Sequence, residues 1–275
     1  MKKTLAIILA LASVLTFTAC KDEEEKAAER MEDNKKAAVE KISRTKIIDE
    51  DDLTVEVTEI SFNEDSEMEL TVKIKNNSED TAYSLSDEYV FVNGIELLCD
   101  LENEEEIAPG ETAEGVLWVD SGEYEKYGLY NYSEIEVKLT AYNEDYDEVY
   151  TDTAFIYPNG EKKAESFERS DKYLGKVLFD NKYVKAQLLD TVNGDPYIFF
   201  ENKHSAEVEV WCEDFVINGN EDDDARIHEY IPGDRAVIGP LYYANVESIK
   251  SLEFDLIIED EDGELLDDTV TYSAE

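Results

Sequence analysis

Chemistry in this chain would have to come from three cysteines, two histidines and a large excess of carboxylates. The thiols are Cys20, Cys99 and Cys212, the imidazoles are His204 and His228, and Asp and Glu together number 69. No Gly-x-Ser-x-Gly elbow, His-Glu-x-x-His pair, phosphate-cradling loop or Cys-x-x-Cys occurs. The spacings that set a nucleophile beside its base, or a metal beside its water, are therefore missing. His204 falls in an Asn-Lys turn and His228 in a polar stretch that reads as a loop. The expectation is a protein that is not an enzyme, with no catalytic residue and no cofactor.

Calcium is the one ion whose chemistry the composition suits, because it takes hard oxygen ligands from loop carboxylates. Acids cluster at residues 49–52, 102–106, 145–148, 221–224 and 259–262, and Asp222, Asp223, Asp224, Asp260 and Asp262 are the candidate ligands. The EF-hand template fails, however. With Gly263 at the sixth loop position, Ile258 falls at the first and Thr269 at the twelfth, where carboxylates are needed. Asp262-Gly263 reads better as a hairpin turn between strands around Leu252 and Val270. Any calcium bound by such loops is expected to be held weakly, as in other extracellular modules.

Aromatic side chains offer a different kind of site. Trp211 has the opposite parity to Val208 and Val210, so on a strand it points out of the core beside Glu209. The matching place in an earlier, similar segment is about Ser86, so packing does not demand a tryptophan there. Trp118, in Val116-Leu117-Trp118-Val119, reads as core or edge packing. Tyr124, Tyr127, Tyr130 and Tyr132 crowd the segment before an Ile135 strand. Tyr124 and Tyr127 are the ligand candidates among them, against the alternative of a helical turn that caps the domain.

The first twenty residues carry an address. Lys2 and Lys3 form a positive n-region, residues 5–17 an apolar stretch too short to span a bilayer, and Phe17-Thr18-Ala19-Cys20 places small residues before a cysteine. This run resembles the lipobox of bacterial lipoproteins, with Phe17 in place of the usual leucine. The resemblance implies removal of residues 1–19 and a diacylglyceryl thioether on Cys20, which anchors the chain in the cell membrane on its extracellular face. Two acyl chains suffice for stable anchoring, since each buried methylene contributes about 0.8 kcal/mol.

Charge then narrows the partners. The chain has 25 Lys and Arg against its 69 acids, a net charge of −44. Such a field repels nucleic acid and favours cations, a basic protein or a cell-wall partner. It also keeps a protein soluble whatever it binds. Residues 20–45 are Glu, Lys, Ala and Arg without Gly or Pro, with acid-before-base pairs at i,i+4 such as Glu32 and Lys36. They predict a charged helical stalk with too thin an apolar seam for a coiled coil.

From residue 46 the texture becomes short alternating runs split by turn residues, the pattern of antiparallel β structure. Met68, Leu70, Val72 and Ile74 alternate with polar residues. So do Ile135, Val137, Leu139 and Ala141, which puts Glu134, Glu136, Lys138 and Thr140 on a wet face. At residues 57–60 the apolar parity switches, which predicts a bulge or a strand crossing between sheets. The same order of landmarks then appears twice. Val90-Phe91-Val92-Asn93-Gly94 matches Phe215-Val216-Ile217-Asn218-Gly219, Pro109-Gly110 matches Pro232-Gly233, and Ile135-Glu136-Val137 matches Leu252-Glu253-Phe254.

Each copy is about 100 residues with about seven short strands, the size of an immunoglobulin-like sandwich. The fold expected is all-β: two tandem immunoglobulin-like domains at 46–157 and 176–275, with a linker at 158–175 that is either packed or a flexible hinge. On these Asn-Lys, Asn-Gly and Pro-Gly turns the chain resembles Gram-positive cell-surface lipoproteins with paired immunoglobulin-like domains of unknown function. Cys99 and Cys212 occupy non-equivalent places in the repeat, so neither domain closes its own disulfide, and two buried free thiols are expected. The function these features favour is a membrane-anchored, non-enzymatic binding or adhesion module. A structural spacer or envelope-homeostasis protein without a dedicated ligand is the alternative, and a low-affinity calcium-binding surface protein a weaker one.

Overall fold

The computed structural model describes residues 44–64, 67–120, 132–164, 175–189, 196–242, 244 and 248–274. The leader, Cys20, nearly all of the expected stalk, Tyr124 and Tyr127 lie outside them. Most of what is described is β-strand, and the rest is almost all turns and loops. The first sandwich sets β1 (Thr45–Asp49), β2 (Leu53–Phe62), β3 (Met68–Asn76), β7 (Thr112–Val119) and β6 (Cys99–Glu102), in that order, against β5 (Ile95–Leu97), β4 (Ser84–Val92), β8 (Ile135–Tyr142) and β9 (Glu148–Ile156). After the short helical turn α1 (Glu161–Ala164), the second sandwich repeats the plan. There β10 (Lys176–Asp180), β11 (Val184–Leu188), β12 (Tyr197–Asn202) and β16 (Ala236–Pro240) face a sheet of β14 (Asn220–Asp222), β13 (Val208–Ile217), β17 (Ser251–Asp260) and β18 (Gly263–Ser273).

Side-chain alternation makes these strands. In β3, Met68, Leu70, Val72 and Ile74 are fully buried while Glu69, Thr71 and Lys73 stay half exposed. The parity switch in β2 is a bulge, with its register to β3 slipping between Val57 and Glu59. Both Asn-Gly pairs turn with positive φ, 52° and 77° at Asn93-Gly94 and 54° and 81° at Asn218-Gly219. The Asn93 carboxamide oxygen accepts the N–H groups of Ser133 and Glu134, and that of Asn218 accepts those of Lys250 and Ser251. Each turn is thereby tied to the start of the strand that pairs with its own, β8 beside β4 and β17 beside β13, which accounts for the asparagines without a ligand. The β17–β18 hairpin lies where expected, but its two turn residues are Glu261-Asp262, and Gly263, with φ 124°, already opens β18 opposite Asp260.

A second pair of asparagines is buried in equivalent places. The Asn76 amide donates to the carbonyls of Thr81 and Ile107 at 2.8 and 2.9 Å, and the Asn202 amide to those of Ala206 and Ile231 at the same distances. Each Oδ1 accepts the N–H two residues on, from Ser78 or His204. A buried group stranded without its partner costs about 1–3 kcal/mol, so each asparagine staples the end of its strand to the loops around it.

The two sandwiches are joined. Strand β16 pairs parallel with β5 at Ala236 and Ile95, so one eight-stranded sheet runs through both copies. The Ala236 N–H donates to the Gly94 carbonyl at 2.9 Å. Leu189, Phe199 and Ala236 of the second copy enter the core of the first. Arg235 donates through Nε and Nη2 to Glu136 Oε2 at 3.0 and 2.7 Å, with its guanidinium 5.8 Å from the Phe91 ring. This corrects the alternation reading of β8. Glu136 and Thr140 sit on the face that should be wet, yet both are buried, Glu136 because the second sandwich and Arg235 lie over it and Thr140 with its hydroxyl on that of Thr151.

Candidate functional site

The repeat departs from itself at one strand, and the departure builds the site. In the first copy β6 pairs with β7, and the Asp87 carboxylate of the bulged β4 also holds it, taking the Leu101 N–H at 3.0 Å and the Cys99 thiol at 3.3 Å. In the second copy the corresponding β15 (Ile227–Ile231) pairs instead with β13, in the register Glu209 to Tyr230 and Trp211 to His228. His228 is thus a strand residue, not a loop residue as its polar neighbours suggested. In Ile227-His228-Glu229-Tyr230-Ile231 the isoleucines are buried and His228 and Tyr230 face outward.

Trp211 does point away from the core, 37 % exposed, and its indole stacks on the His228 ring at 3.5 Å between centroids and 15° between planes. The Tyr230 ring, 55 % exposed, lies 4.9 Å beyond His228. The three form a ridge across the outer face of the sheet. His228 Nε2 lies 2.6 Å from Glu209 Oε1, and hydrogen bonds from Tyr230 and then His228 hold the Glu209 carboxyl below the usual carboxylate range. The ridge is therefore pinned: its rings cannot rotate freely to suit packing, and they present a preformed aromatic surface.

Two concavities flank Tyr230. The larger, about 470 Å³, opens where β5 and β16 diverge after their single pairing. Its first-copy wall is Glu96, Leu97, Leu98 and Asp120, and its second-copy wall runs from His228, Glu229 and Tyr230 to residues 237–240, with Tyr197 and Tyr242. The smaller, about 350 Å³, is lined by Glu207, Glu209, Asp260 and Glu261 with Ala206 and the other side of Tyr230. Carboxylates line both, and among the described residues neither has a Lys or Arg in its wall.

Glu229 has the inward parity of β15 and is half-buried. Its carboxyl lies against Gly239 of β16, where a β-carbon would overlap it. Burial, and then the charge of Glu96, push the Glu229 carboxyl up to about 7. Burial raises Glu96 as well, with Glu207 adding to it.

The other sequence candidates are placed apart from this cleft. Asp222 Oδ1 accepts the N–H groups of Asp224 and Ala225, and Asp260 Oδ1 that of Asp262, so these acids shape their own turns. Among the described residues no three His, Cys, Asp or Glu side chains converge to hold a metal. Trp118 donates its indole N–H to Glu67 Oε2 at 2.8 Å on the first sandwich. Cys99 and Cys212 are free thiols, and Cys99 is only half-buried rather than buried as expected. Burial, and then Asp87, push the Cys99 thiol up to about 12, and burial raises that of Cys212 too. At neutral pH both are protonated and poor nucleophiles. Glu96, Glu229, Tyr230 and Tyr242 went unnoticed in the sequence. The alternation of residues 227–231 marks a strand and could have signalled His228 and Tyr230, but the cleft depends on contact between the copies.

No protein-family model matches the chain, and no curated protein matches it. Solved structures with some likeness include the GAE domain of GGA2p from Saccharomyces cerevisiae, 14 % identical over 43 % of this chain and 100 % of that one, with a TM-score of 0.24. The YadV chaperone is 10 % identical over 80 % of this chain and 100 % of that one, with a TM-score of 0.25. Red sea bream transglutaminase is 10 % identical over 82 % of this chain and 32 % of that one, with a TM-score of 0.26. Likenesses of this size carry no functional argument.

Proposed function

We propose that the chain is a membrane-tethered extracellular lipoprotein, anchored through Cys20, whose paired immunoglobulin-like domains act as a non-enzymatic binding module with its contact surface at the Trp211, His228 and Tyr230 ridge. The observation that carries this reading is the ridge itself. A tryptophan that the repeat does not require is held outward by its stack on His228, and His228 and Tyr230 line a cleft between two joined domains. Exposed, preorganised aromatic rings are costly to keep in water and are the residues that dominate binding energy where they occur. Calcium held by Asp222, Asp223, Asp224, Asp260 and Asp262 is not part of this reading.

The test is retention of a soluble 44–275 fragment, which holds every described strand, on isolated cell-wall material at physiological salt. Trp211→Ala is expected to cut retention at least fivefold with an unchanged melting temperature, since truncating a contact tryptophan commonly costs about 1–2 kcal/mol of binding. Retention that is absent, or indifferent to the substitution, favours a spacer without a dedicated ligand.

A further inference from the structure

We infer that the ligand is an extended basic peptide that lies across Tyr230 and places one lysine or arginine side chain in each of the two acidic concavities. The inference rests on the proposed binding role of the ridge and names its ligand class. Tyr230 is the shared wall of the two hollows. On one side stand Glu96 and Glu229, on the other Glu207 and Glu209. Glu96 and Glu229 are drawn partly out of water and face the same cleft from different domains, and among the described residues no lysine or arginine stands in its walls. Two carboxylates so placed repel each other, and a cation between them relieves both the repulsion and the lost hydration.

The walls select an organic cation over a metal ion. A divalent ion needs several converging oxygen ligands, and no such group exists among the described residues. The cleft instead combines its carboxylates with Leu98, Tyr230 and Tyr242, of which Leu98 is 67 % exposed. Apolar and aromatic walls accept the methylene stem of a lysine while its ammonium meets the acids and the ring faces. A carbohydrate would use the aromatic ridge but leave the carboxylate pair without a partner. An extended backbone, with successive same-side residues about 7 Å apart, can straddle one tyrosine with cations on either side.

The experiment is titration calorimetry of the full chain in zwitterionic detergent at 150 mM salt with a hexalysine peptide, its fully acetylated counterpart, and calcium chloride alone. Hexalysine is expected to bind one to one. The double variant Glu96→Gln/Glu229→Gln is expected to weaken it at least tenfold. Glu104→Gln/Glu105→Gln removes the same number of carboxyl groups from an exposed loop of the first sandwich and is expected to change affinity less than twofold. Equal losses in the two double variants mean diffuse charge attraction and overturn the inference, as does calcium binding that the cleft variant abolishes. If the acetylated peptide binds as well as hexalysine and Trp211→Ala still abolishes it, the ridge is a binding site but not for cations. If neither peptide binds and wall retention ignores Trp211→Ala, the binding reading fails with it.

Discussion

Arg235→Met is expected to lower the stability of the chain by about 3 kcal/mol and to let the two sandwiches move independently. Arg235 makes two hydrogen bonds to one oxygen of Glu136, whose side chain is only 8 % exposed at the joint. Methionine fills much of the arginine stem's volume but leaves the Glu136 carboxylate buried without its counter-charge. Glu134, raised by burial and by Glu136, also loses the guanidinium that offsets it. Most of the loss is this stranded charge rather than the worth of the pair, so the double variant Arg235→Met/Glu136→Met is expected to recover most of it. Arg235→Lys falls between, because an ammonium cannot reproduce the two-pronged geometry. Thermal melting gives the order of the variants. Small-angle scattering reads the joint, with a broader distribution of interdomain distances for Arg235→Met alone.

The second large effect is a pH dependence located at Glu229. Its carboxyl titrates at about 7 in the folded chain against 4.5 for an ordinary glutamate. Between those values the native state holds a proton that the unfolded chain has released, so stability falls as pH rises through the window. The contribution is fully present below about pH 4.5 and gone above about pH 7 to 8. Glu229→Gln cannot titrate. Relative to wild type it is therefore expected to gain about 2–3 kcal/mol on going from pH 4.5 to pH 8. Denaturant unfolding of both proteins at the two pH values isolates the term, since the other acids are common to both. Equal stability differences at pH 4.5 and pH 8 would mean that Glu229 keeps an ordinary environment. The stabilisation at high pH of a variant that has lost a carboxylate is a signature of a site built at the expense of the fold.

Much of the architecture was legible because it is local and repeated. Alternation marked Met68, Leu70, Val72 and Ile74 as a core face, the parity slip near Val57 marked a bulge, and Asn93-Gly94 and Asn218-Gly219 marked positive-φ turns. Trp211 was legible for the same reason, since period two says which residues share a face. It does not say what covers that face. Glu136 therefore read as wet, although Arg235, 99 positions away, lies over it. His228 read as a loop residue because the four acids at 221–224 precede its strand, while its stacking on Trp211 depends on β15 choosing β13 over β16. The Glu96 and Glu229 pair needed both the joint and that choice, so nothing within either repeat alone could reveal it.

The most direct measurement is site-specific photo-crosslinking with p-benzoylphenylalanine placed at Leu98 or at Tyr146. Leu98 is 67 % exposed on the cleft wall, and Tyr146 is 82 % exposed on a turn between β8 and β9 of the first sandwich. Accessibility alone favours Tyr146. Illumination with isolated cell-wall material, and separately with hexalysine, is expected to give an adduct from position 98 and only background from position 146. Adducts of equal yield at both positions in both mixtures, or at position 146 alone, would contradict binding at the cleft.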